Sequence, residues 1–488
     1  MPRTLIAVNR DSPEPLYRQV RRAIEHGIAV GTLHPDRRLP SSRELARELG
    51  LSRNTITLAY QELIAEGFVE SRLRTGLFVN GEMRKHCAVE PETPPAAAID
   101  WRGRMRHVVD DGLPHLQKRP DWYTYPYPFL AGQVDVRAFP ARAWSRCLRD
   151  ALFHPHVYHS LQDSLAADDP MLVEMIQREL LPTRGIEAST DQILVTLGSQ
   201  QGLELLGQVL LGDGSTVAVE EPGYLDARHI FLRTGAGLRP MPVDGSGLRP
   251  PAGLGGVDLL HLTPSHHHPT NVTLSIGRRR ELLALARESG TVVVEDDYDA
   301  EFRYQGSPSP ALKALDRSGH VVYLGTVSKF LAPGLRIGYL VGSPELVSEL
   351  RNVRRYVHRH PPGHSQRALA LLVGSGEYHR AVRRYRTKLQ RKWEAVTGAV
   401  NRYLPWRTTP PAGGVSLWMT GPEGLDARRL ARLAERRGAL LEPGDVYFLD
   451  EPRPLNNFRL GFAATPVPAI DPGIRVVAEV VDSLLSAG

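Results

Sequence analysis

Between residues 190 and 341, short β-branched runs alternate with helical stretches, and this alternation constrains the fold more than any other feature of the chain. Ile193–Thr196, Thr216–Val219, Val257–Leu262, Thr291–Glu295, Val321–Leu324 and Ile337–Val341 read as strands, with helices at Gln200–Leu211 and Arg278–Ser289 lying among them. Strands that alternate with helices predict an α/β fold whose sheet is mainly parallel and covered by helices. The C-terminal part predicts a smaller α+β subdomain that includes a basic helical stretch near Tyr378–Trp393. No internal repeat is visible, and 488 residues exceed one ordinary core, so two or more domains are expected.

Hydrophobic and charged contents of 42% and 23% are those of a water-soluble globular protein. No apolar run approaches the roughly 20 residues that cross a bilayer. The N-terminal residues carry no signal-peptide pattern, so no membrane partner and a cytoplasmic setting are expected. Cys87 and Cys147 are not in C-x-x-C spacing, which points to neither a disulfide nor a metal framework. The adjacent His266, His267 and His268 alternate faces on an extended chain, so they are not expected to chelate a metal together. The net charge of +6 is uneven: residues 1–80 hold 12 arginines against 9 acids.

Those 80 residues predict a compact helical unit. Leu16, Val20, Ile24 and Ile28 form one apolar helix face. Ser41 and Glu44 make a capping box for a helix that stops at Gly50, and Ser52 caps the next, from Arg53 to about Ala65. Phe68–Glu70 and Leu77–Val79 read as a short hairpin or wing. Two short helices about a glycine turn form a helix-turn-helix, whose second helix enters the DNA major groove by its N-terminus. Arg53, Asn54 and Thr55 lie there, and Ser41, Ser42, Arg43 and the wing residue Gly76 complete the expected contacts. A structural three-helix bundle with surface arginines is the competing reading. The motifs at Arg38–Ala46, Ser52–Ile56 and Ala59–Leu63 resemble the GntR-type winged helix. The chain departs from it where Pro35-Asp36 replaces Pro-Gly and where the wing reads Arg74-Thr75-Gly76-Leu77. Residues 81–112, with Pro91–Ala98 at their centre, predict a semi-rigid linker to a second domain at 113–488.

In that domain Lys329 follows the turn Gly325–Ser328 and precedes Arg336 in a loop stiffened by Pro333 and Gly334. An amine beside a phosphate-binding fork is what pyridoxal 5'-phosphate (PLP) needs, because its aldehyde condenses with an uncharged lysine. Arg336 is expected both to lower the Lys329 pKa and to bind phosphate bidentately, with Thr326 adding a hydroxyl. Ser199 and Gln200, after a strand and at a helix start, suit the same phosphate. The apolar run Val292–Val294 carries Glu295, Asp296 and Asp297 inward. Asp296 shares a strand face with Tyr298, so the two can serve the pyridine nitrogen and O3', with Asp297 the rival carboxylate. Tyr224 offers a ring to stack. Arg459, in the otherwise apolar Phe458–Phe462, needs an anionic partner, either a ligand carboxylate or a structural ion pair.

Residues 113–488 resemble fold type I aminotransferases through Leu262–Thr270, Glu295–Phe302 and Tyr323–Gly338, and the whole chain resembles the MocR subgroup of GntR regulators. The resemblance implies Lys329 as the Schiff-base lysine and Asp296 and Tyr298 as the ring partners. It also implies Ser199, Gln200, Thr326 and Arg336 at the phosphate, Tyr224 stacking, and Arg459 reading an effector carboxylate. Aminotransferases place Asn-Pro-x-Gly where this chain has His268-Pro269-Thr270-Asn271, so the O3' asparagine is a histidine. The segment Asp169–Met175 departs from the family pattern near the cofactor entrance and is expected to shape the ligand site. The resemblance implies a homodimeric regulator that binds a double-stranded DNA operator and senses PLP, or a small amino compound through PLP, at Lys329. The alternative is a working aminotransferase with an appended DNA-binding domain, and turnover is left open.

Overall fold

The computed structural model describes residues 8–35, 38–72, 75–81, 99–105, 114, 118–299, 301–306, 309–327, 329, 331–404, 406 and 411–486. The chain divides into two compact units, residues 1–106 and 107–488. Most of the expected 81–112 linker, Cys87 included, lies outside the described residues.

The first unit contains three helices and a hairpin: α1 (Leu16–Ala29), α2 (Ser42–Leu49), α3 (Arg53–Ala65), β1 (Val69–Arg72) and β2 (Gly76–Val79). Each boundary has a local cause. Ser41 closes a full capping box with Glu44, Gly50 ends α2 in the left-handed region, and Ser52 accepts the Thr55 N–H to start α3. Val20, Ile24 and Ile28 from α1 bury against Ile56, Ala59, Tyr60 and Leu63 of α3. The hairpin pairs Val69 with Val79, and both valines enter the same core.

The second unit is built on an eight-stranded sheet. Its strands are β4 (Ile193–Thr196), β5 (Thr216–Glu221), β6 (Gly237–Asp244), β7 (Gly247–Leu248), β8 (Leu259–Leu262), β9 (Val292–Asp297), β10 (Val321–Thr326) and β11 (Gly338–Val341). They run in the order β4-β11-β10-β9-β8-β5-β6-β7. The contiguous pairs from β10 to β6 are parallel, while β11 and β7 run against their neighbours. Successive side chains supply opposite cores, as the pleat requires: Val294 and Leu259 enter one cluster and Val293 and Leu260 the other. Burial on both faces explains why these strands read as continuous apolar runs. Sequence reasoning missed β6 and β7, because Gly237–Asp244 carries two prolines and alternates exposed residues.

A short parallel pair joins β3 (Tyr127–Pro128) to β13 (Ala439–Leu440), and a smaller antiparallel sheet orders β12 (Ser416–Thr420), β15 (Asn457–Gly461) and β14 (Glu442–Pro443) as β12-β15-β14. The basic stretch is the helix Glu377–Tyr403. Its one buried cation, Lys392, donates to the Ala463 carbonyl and pairs with Asp135. Among the described residues no helix is long and apolar enough to cross a membrane.

Candidate functional sites

The carboxyl ends of the parallel strands converge on a cavity of about 250 Å³, the place where open α/β sheets receive ligands. Seven of the eight expected cofactor residues line it: Ser199, Gln200, Tyr224, Tyr298, Thr326, Lys329 and Arg336. Arg459 lines it as well. Asp296 is not on the surface of the cavity but is buried, at 3% exposure, near the end of β9.

One end of the cavity is a cradle. Gly198 has φ 82° and precedes the helix Ser199–Leu210, whose first N–H groups have no partner within the helix. A Cβ at Gly198 would lie 2.9 Å from Arg336 Nη2, so only glycine lets the guanidinium settle over this helix start. Arg336 donates from Nη2 to the Leu197 carbonyl at 2.8 Å, which fixes the fork there. Helix N–H groups, a hydroxyl at Ser199 and a guanidinium form a phosphate-sized anion site. Gln200 is turned elsewhere: its Nε2 donates to Asp226 at 2.6 Å, and the Tyr224 hydroxyl donates to the same carboxylate at 3.2 Å.

Three buried polar atoms at or behind the cavity wall have no hydrogen-bond partner among the described residues: the Tyr298 hydroxyl and His268 Nδ1 on lining residues, and Asp296 Oδ1 behind them. The two rival aspartates differ sharply. Asp297 accepts from Arg184 Nε at 2.7 Å and from the Tyr323 hydroxyl at 2.9 Å, and lines a separate cavity with both of them. Asp296 accepts no such bond among the described residues, the His261 Nε2 lying 3.9 Å from its Oδ2. Burial and the Asp299 charge hold the Tyr298 phenol well above its usual range, so it stays a donor. One unsatisfied acceptor and two unsatisfied donors are the complement of a protonated pyridine nitrogen and its neighbouring O3'.

His268 takes the position of the family's asparagine and is wedged between the rings of Tyr224, Tyr298 and Tyr447, at centroid distances of 5.0, 6.0 and 5.4 Å. Arg459 Nη1 donates to its Nε2 at 2.9 Å, which places the imidazole proton on Nδ1. Burial, with Arg459 and Lys329 adding to it, drives the His268 pKa well below its usual value, so the ring is neutral. Asn271, where the pattern has glycine, tolerates φ 60° and donates to the Ser416 carbonyl at 2.5 Å. The other two histidines have their own partners: His266 pairs with Asp299 at 2.8 Å and His267 with the Thr270 hydroxyl at 2.7 Å. Among the described residues no group of three or more His, Cys, Asp or Glu is placed to hold a metal ion.

Lys329 sits with its Nζ 5.6 Å from the centre of the Tyr298 ring. Its pKa is pushed down to about 8 by burial and then by the Lys118 and Arg459 cations. The depression expected from Arg336 is therefore present but has other sources. Lys118, Asp226 and Tyr447 also line the cavity, and sequence reasoning passed over all three. Asp226, two residues beyond Tyr224 in a helix's first turn, carried a signal; Lys118 carried none. The segment Asp169–Met175, expected to shape the ligand site, is instead the helix Pro170–Met175, N-capped by Asp169, and none of its residues lines the cavity.

In the first unit, Arg43 opens α2 and Arg53 and Asn54 open α3. All three are exposed, and neither arginine makes a hydrogen bond or ion pair among the described residues. The arginines on α1 are spent: Arg21 pairs with Glu25, Glu62 and Glu66, and Arg22 with Glu14. Arg43 and Arg53 thus keep their donors uncommitted among the described residues, as the exposed Arg47 on α2 does. Thr55 shares a hydrogen bond with Ser52 at 2.7 Å, and Ser41 Oγ accepts the Glu44 N–H at 3.3 Å. Gly76, at φ 116°, leaves room for Arg38, whose Nε would lie 2.6 Å from a Cβ there. Arg38 thus joins Ser41, Ser42 and Gly76 around one open hollow beside α3.

Comparison with known proteins gives both units a family. Residues 16–79 match the family described as bacterial regulatory proteins, gntR family, and residues 169–477 match aminotransferase class I and II. The HTH-type transcriptional regulator TauR of Rhodobacter capsulatus is 39% identical over 95% of this chain and 96% of its own. The probable rhizopine catabolism regulatory protein MocR of Rhizobium meliloti is 31% identical over 99% and 96%. Among solved structures, kynurenine aminotransferase of Pyrococcus horikoshii superposes with a TM-score of 0.68 at 29% identity, covering 73% of this chain and 90% of that one. LysN, the α-aminoadipate aminotransferase of Thermus thermophilus complexed with N-(5'-phosphopyridoxyl)-L-leucine, also gives 0.68, at 28% identity over 79% and 97%. The cavity's cradle and unsatisfied polar atoms fit the cofactor that this fold carries, and the second unit is a PLP-binding domain. The chain belongs to the MocR subfamily of GntR-type transcriptional regulators, DNA-binding proteins that join a winged helix to an aminotransferase-like domain.

Proposed function

We propose that this regulator senses a small amino compound bearing an acidic group, or PLP itself, at Lys329, and that it answers by changing its hold on a DNA operator. The observation that carries the reading is the Lys329 amine, held near neutrality at a pKa of about 8 between two further cations and beside the three unsatisfied polar atoms. PLP supplies an aldehyde that amines exchange on and a ring that withdraws electrons. Lys329 gives the amine that holds the aldehyde, and Ser199, Thr326 and Arg336 hold the phosphate, with Gln200 free to join once it leaves Asp226. Asp296 keeps the pyridine nitrogen protonated, Tyr298 and neutral His268 donate toward O3', and Tyr224 lies against the ring. Arg459 receives the effector's acid. On the DNA side, Arg43, Arg53 and Asn54 read the major groove. Ser41, Ser42, Thr55 and Gly76 bring the backbone into register.

Replacing a uniquely placed asparagine amide with a neutral imidazole keeps a donor near O3' but removes the acceptor that an amide also carries, and this favours sensing over rapid turnover. The domains are residues 1–80 and 113–488 with a linker between them, and the working form is a cytoplasmic homodimer. In support of a dimer, the apolar side chains of Tyr158, Leu161, Tyr356 and Val357 are 68%, 69%, 85% and 59% exposed. The Asp163–Arg359 ion pair brings the segments that carry them near one another, and exposed apolar side chains on neighbouring segments suit a partner surface.

The test is the absorption spectrum of the PLP-loaded chain mixed with a panel of amino acids and amines, read beside operator binding. A lasting spectral shift with one compound, accompanied by altered operator affinity and no keto product, is expected. Steady release of keto product with unaltered operator affinity would overturn the reading in favour of an enzyme.

A further inference from the structure

The cavity contains one cation more than the cofactor and Arg459 account for. Lys118 reaches its mouth from far upstream of the sheet, with a side chain 34% exposed. Its Nζ donates to the Ala131 carbonyl at 2.7 Å and lies 4.0 Å from Glu442 Oε1. The loop that holds this amine is tied to the strand carrying Arg459. Gly461, two residues beyond Arg459 on β15, donates its N–H to the Phe129 carbonyl at 2.9 Å. A Cβ at Gly461 would run into the backbone of Leu130 and Ala131, so the two segments touch. Glu442 faces Arg459 directly across the β14–β15 pair. The positions of Lys118 and Arg459 are therefore fixed relative to one another, with Glu442 shared between them.

The same amine lies close to the cofactor lysine. A Cβ on Gly132 would be 2.9 Å from Lys118 Nζ and 3.6 Å from Lys329 Nζ, so a single glycine separates the two amines. Three cations converge here, and cations gathered at a cavity are unfavourable unless an anion joins them. Arg459 has already committed Nε to Ser416 at 2.9 Å and Nη1 to His268. The Lys118 ammonium has three donors and commits one of them among the described residues. A rotating ammonium acts as a point charge and accepts an acid group in many orientations, whereas a held guanidinium offers one edge.

We infer that Lys118 is a specificity-determining residue that clamps the effector's acidic group together with Arg459, so that the site takes amino acids and rejects neutral amines of the same length. The inference rests on the proposed sensing of an amino compound and names the class that the same cavity selects. Glu442 limits the surplus to a charge that one acidic group satisfies.

The test uses the full chain loaded with PLP. Calorimetric and absorption titrations compare a homologous series of ω-amino acids, beginning with β-alanine, against alkylamines of matching length. The wild type is expected to prefer the acid-bearing member of each pair. Lys118→Met keeps the length and removes the charge, and should shrink that preference by roughly tenfold to a hundredfold, the worth of a charge-assisted hydrogen bond. Lys118→Arg should keep most of it, and thermal melts of the ligand-free, cofactor-loaded variants check the fold. Equal discrimination by Lys118→Met and wild type, or an equal loss for both classes of compound, would reduce Lys118 to an anchor on Ala131 and overturn the inference alone. A wild type without any preference for acids would overturn the sensing of an acid-bearing amino compound, and this inference with it, and leave PLP itself as the effector.

Discussion

The two units handle charge in opposite ways. In the winged helix the core is apolar, from Val20 and Ile24 to Tyr60, Leu63 and Val79, and the candidate contacts Arg43 and Arg53 stand in solvent without partners among the described residues. In the aminotransferase-like unit Asp296, Tyr298 and Arg459 are buried, and several polar atoms at the site lack a hydrogen-bond partner among the described residues: Asp296 Oδ1, the Tyr298 hydroxyl and His268 Nδ1. The difference follows from the ligands. A DNA backbone is bound by charges that displace its counterions and so must be exposed. A small aromatic aldehyde is held by groups desolvated in advance, where each hydrogen bond is stronger and each unmade one is costly.

The largest break in this contrast is Lys329→Ala. It should abolish the visible absorption of the PLP-loaded chain completely while leaving effector-independent operator binding in place, as gel-shift assays would show. If operator binding disappears with the cofactor, the two units are not separable in the way their charge placement suggests.

Next in size is the pair of aspartates on β9. Asp297→Ala strands Arg184 in the interior and should cost about 3–5 kcal/mol in denaturant unfolding, the usual cost of leaving a buried charge uncompensated. Asp296→Asn leaves no such orphan and should unfold like the wild type without cofactor, yet hold PLP more weakly. Reversed outcomes would exchange their roles and make Asp297 the ring partner.

Replacing both Arg43 and Arg53 with alanine should weaken operator binding by about 2–4 kcal/mol and flatten its dependence on salt, with PLP uptake unchanged. A loss of cofactor in this variant would contradict the division of labour between the units.

A smaller effect lies in pH. With Lys329 at about 8, its uncharged fraction, and so the rate of PLP uptake, should rise with pH and level off above that value. Removing the Lys118 charge favours the protonated form of Lys329 and moves the midpoint upward. Stopped-flow uptake across a pH series would detect the shift, and an unmoved midpoint would mean that burial and Arg459 set the pKa without Lys118.

The legibility of the sequence divided along the same line. The winged helix could be read nearly residue by residue, because Ser41, Glu44, Gly50 and Ser52 act on neighbours within four positions and the apolar period of α1 is local. In the second unit the central strands were readable for a similar reason, since burial on both faces leaves unbroken apolar runs. The edge strands β6 and β7 were not, because their exposed residues and prolines imitate loops. Residues brought to the cavity by strand ends, such as Tyr224, Thr326 and Lys329, were found through motif and position. Lys118 was invisible, because what makes it matter is a carbonyl at Ala131 and a strand more than 300 residues away. Nor could the sequence assign the lowered Lys329 pKa to Lys118 and Arg459 in place of Arg336, which is near in sequence but turned to Leu197.

The smallest predicted effect separates two duties of one exposed side chain. Ser41 Oγ accepts the Glu44 N–H while the Ser41 N–H donates to Glu44 Oε2 at 2.7 Å, so its oxygen serves the helix and its hydroxyl proton remains available to phosphate. Ser41→Ala should cost about 1 kcal/mol of stability in the first unit through the lost cap, and should weaken operator binding as well. Ser41→Asp restores an N-cap acceptor, and a negative charge there suits the helix dipole, so stability should return. The same charge repels a phosphate, and operator binding should fall further. If Ser41→Asp instead recovers stability and binding together, Ser41 acts on DNA only through the helix it caps, and the exposed contacts reduce to Arg43, Arg53 and Asn54.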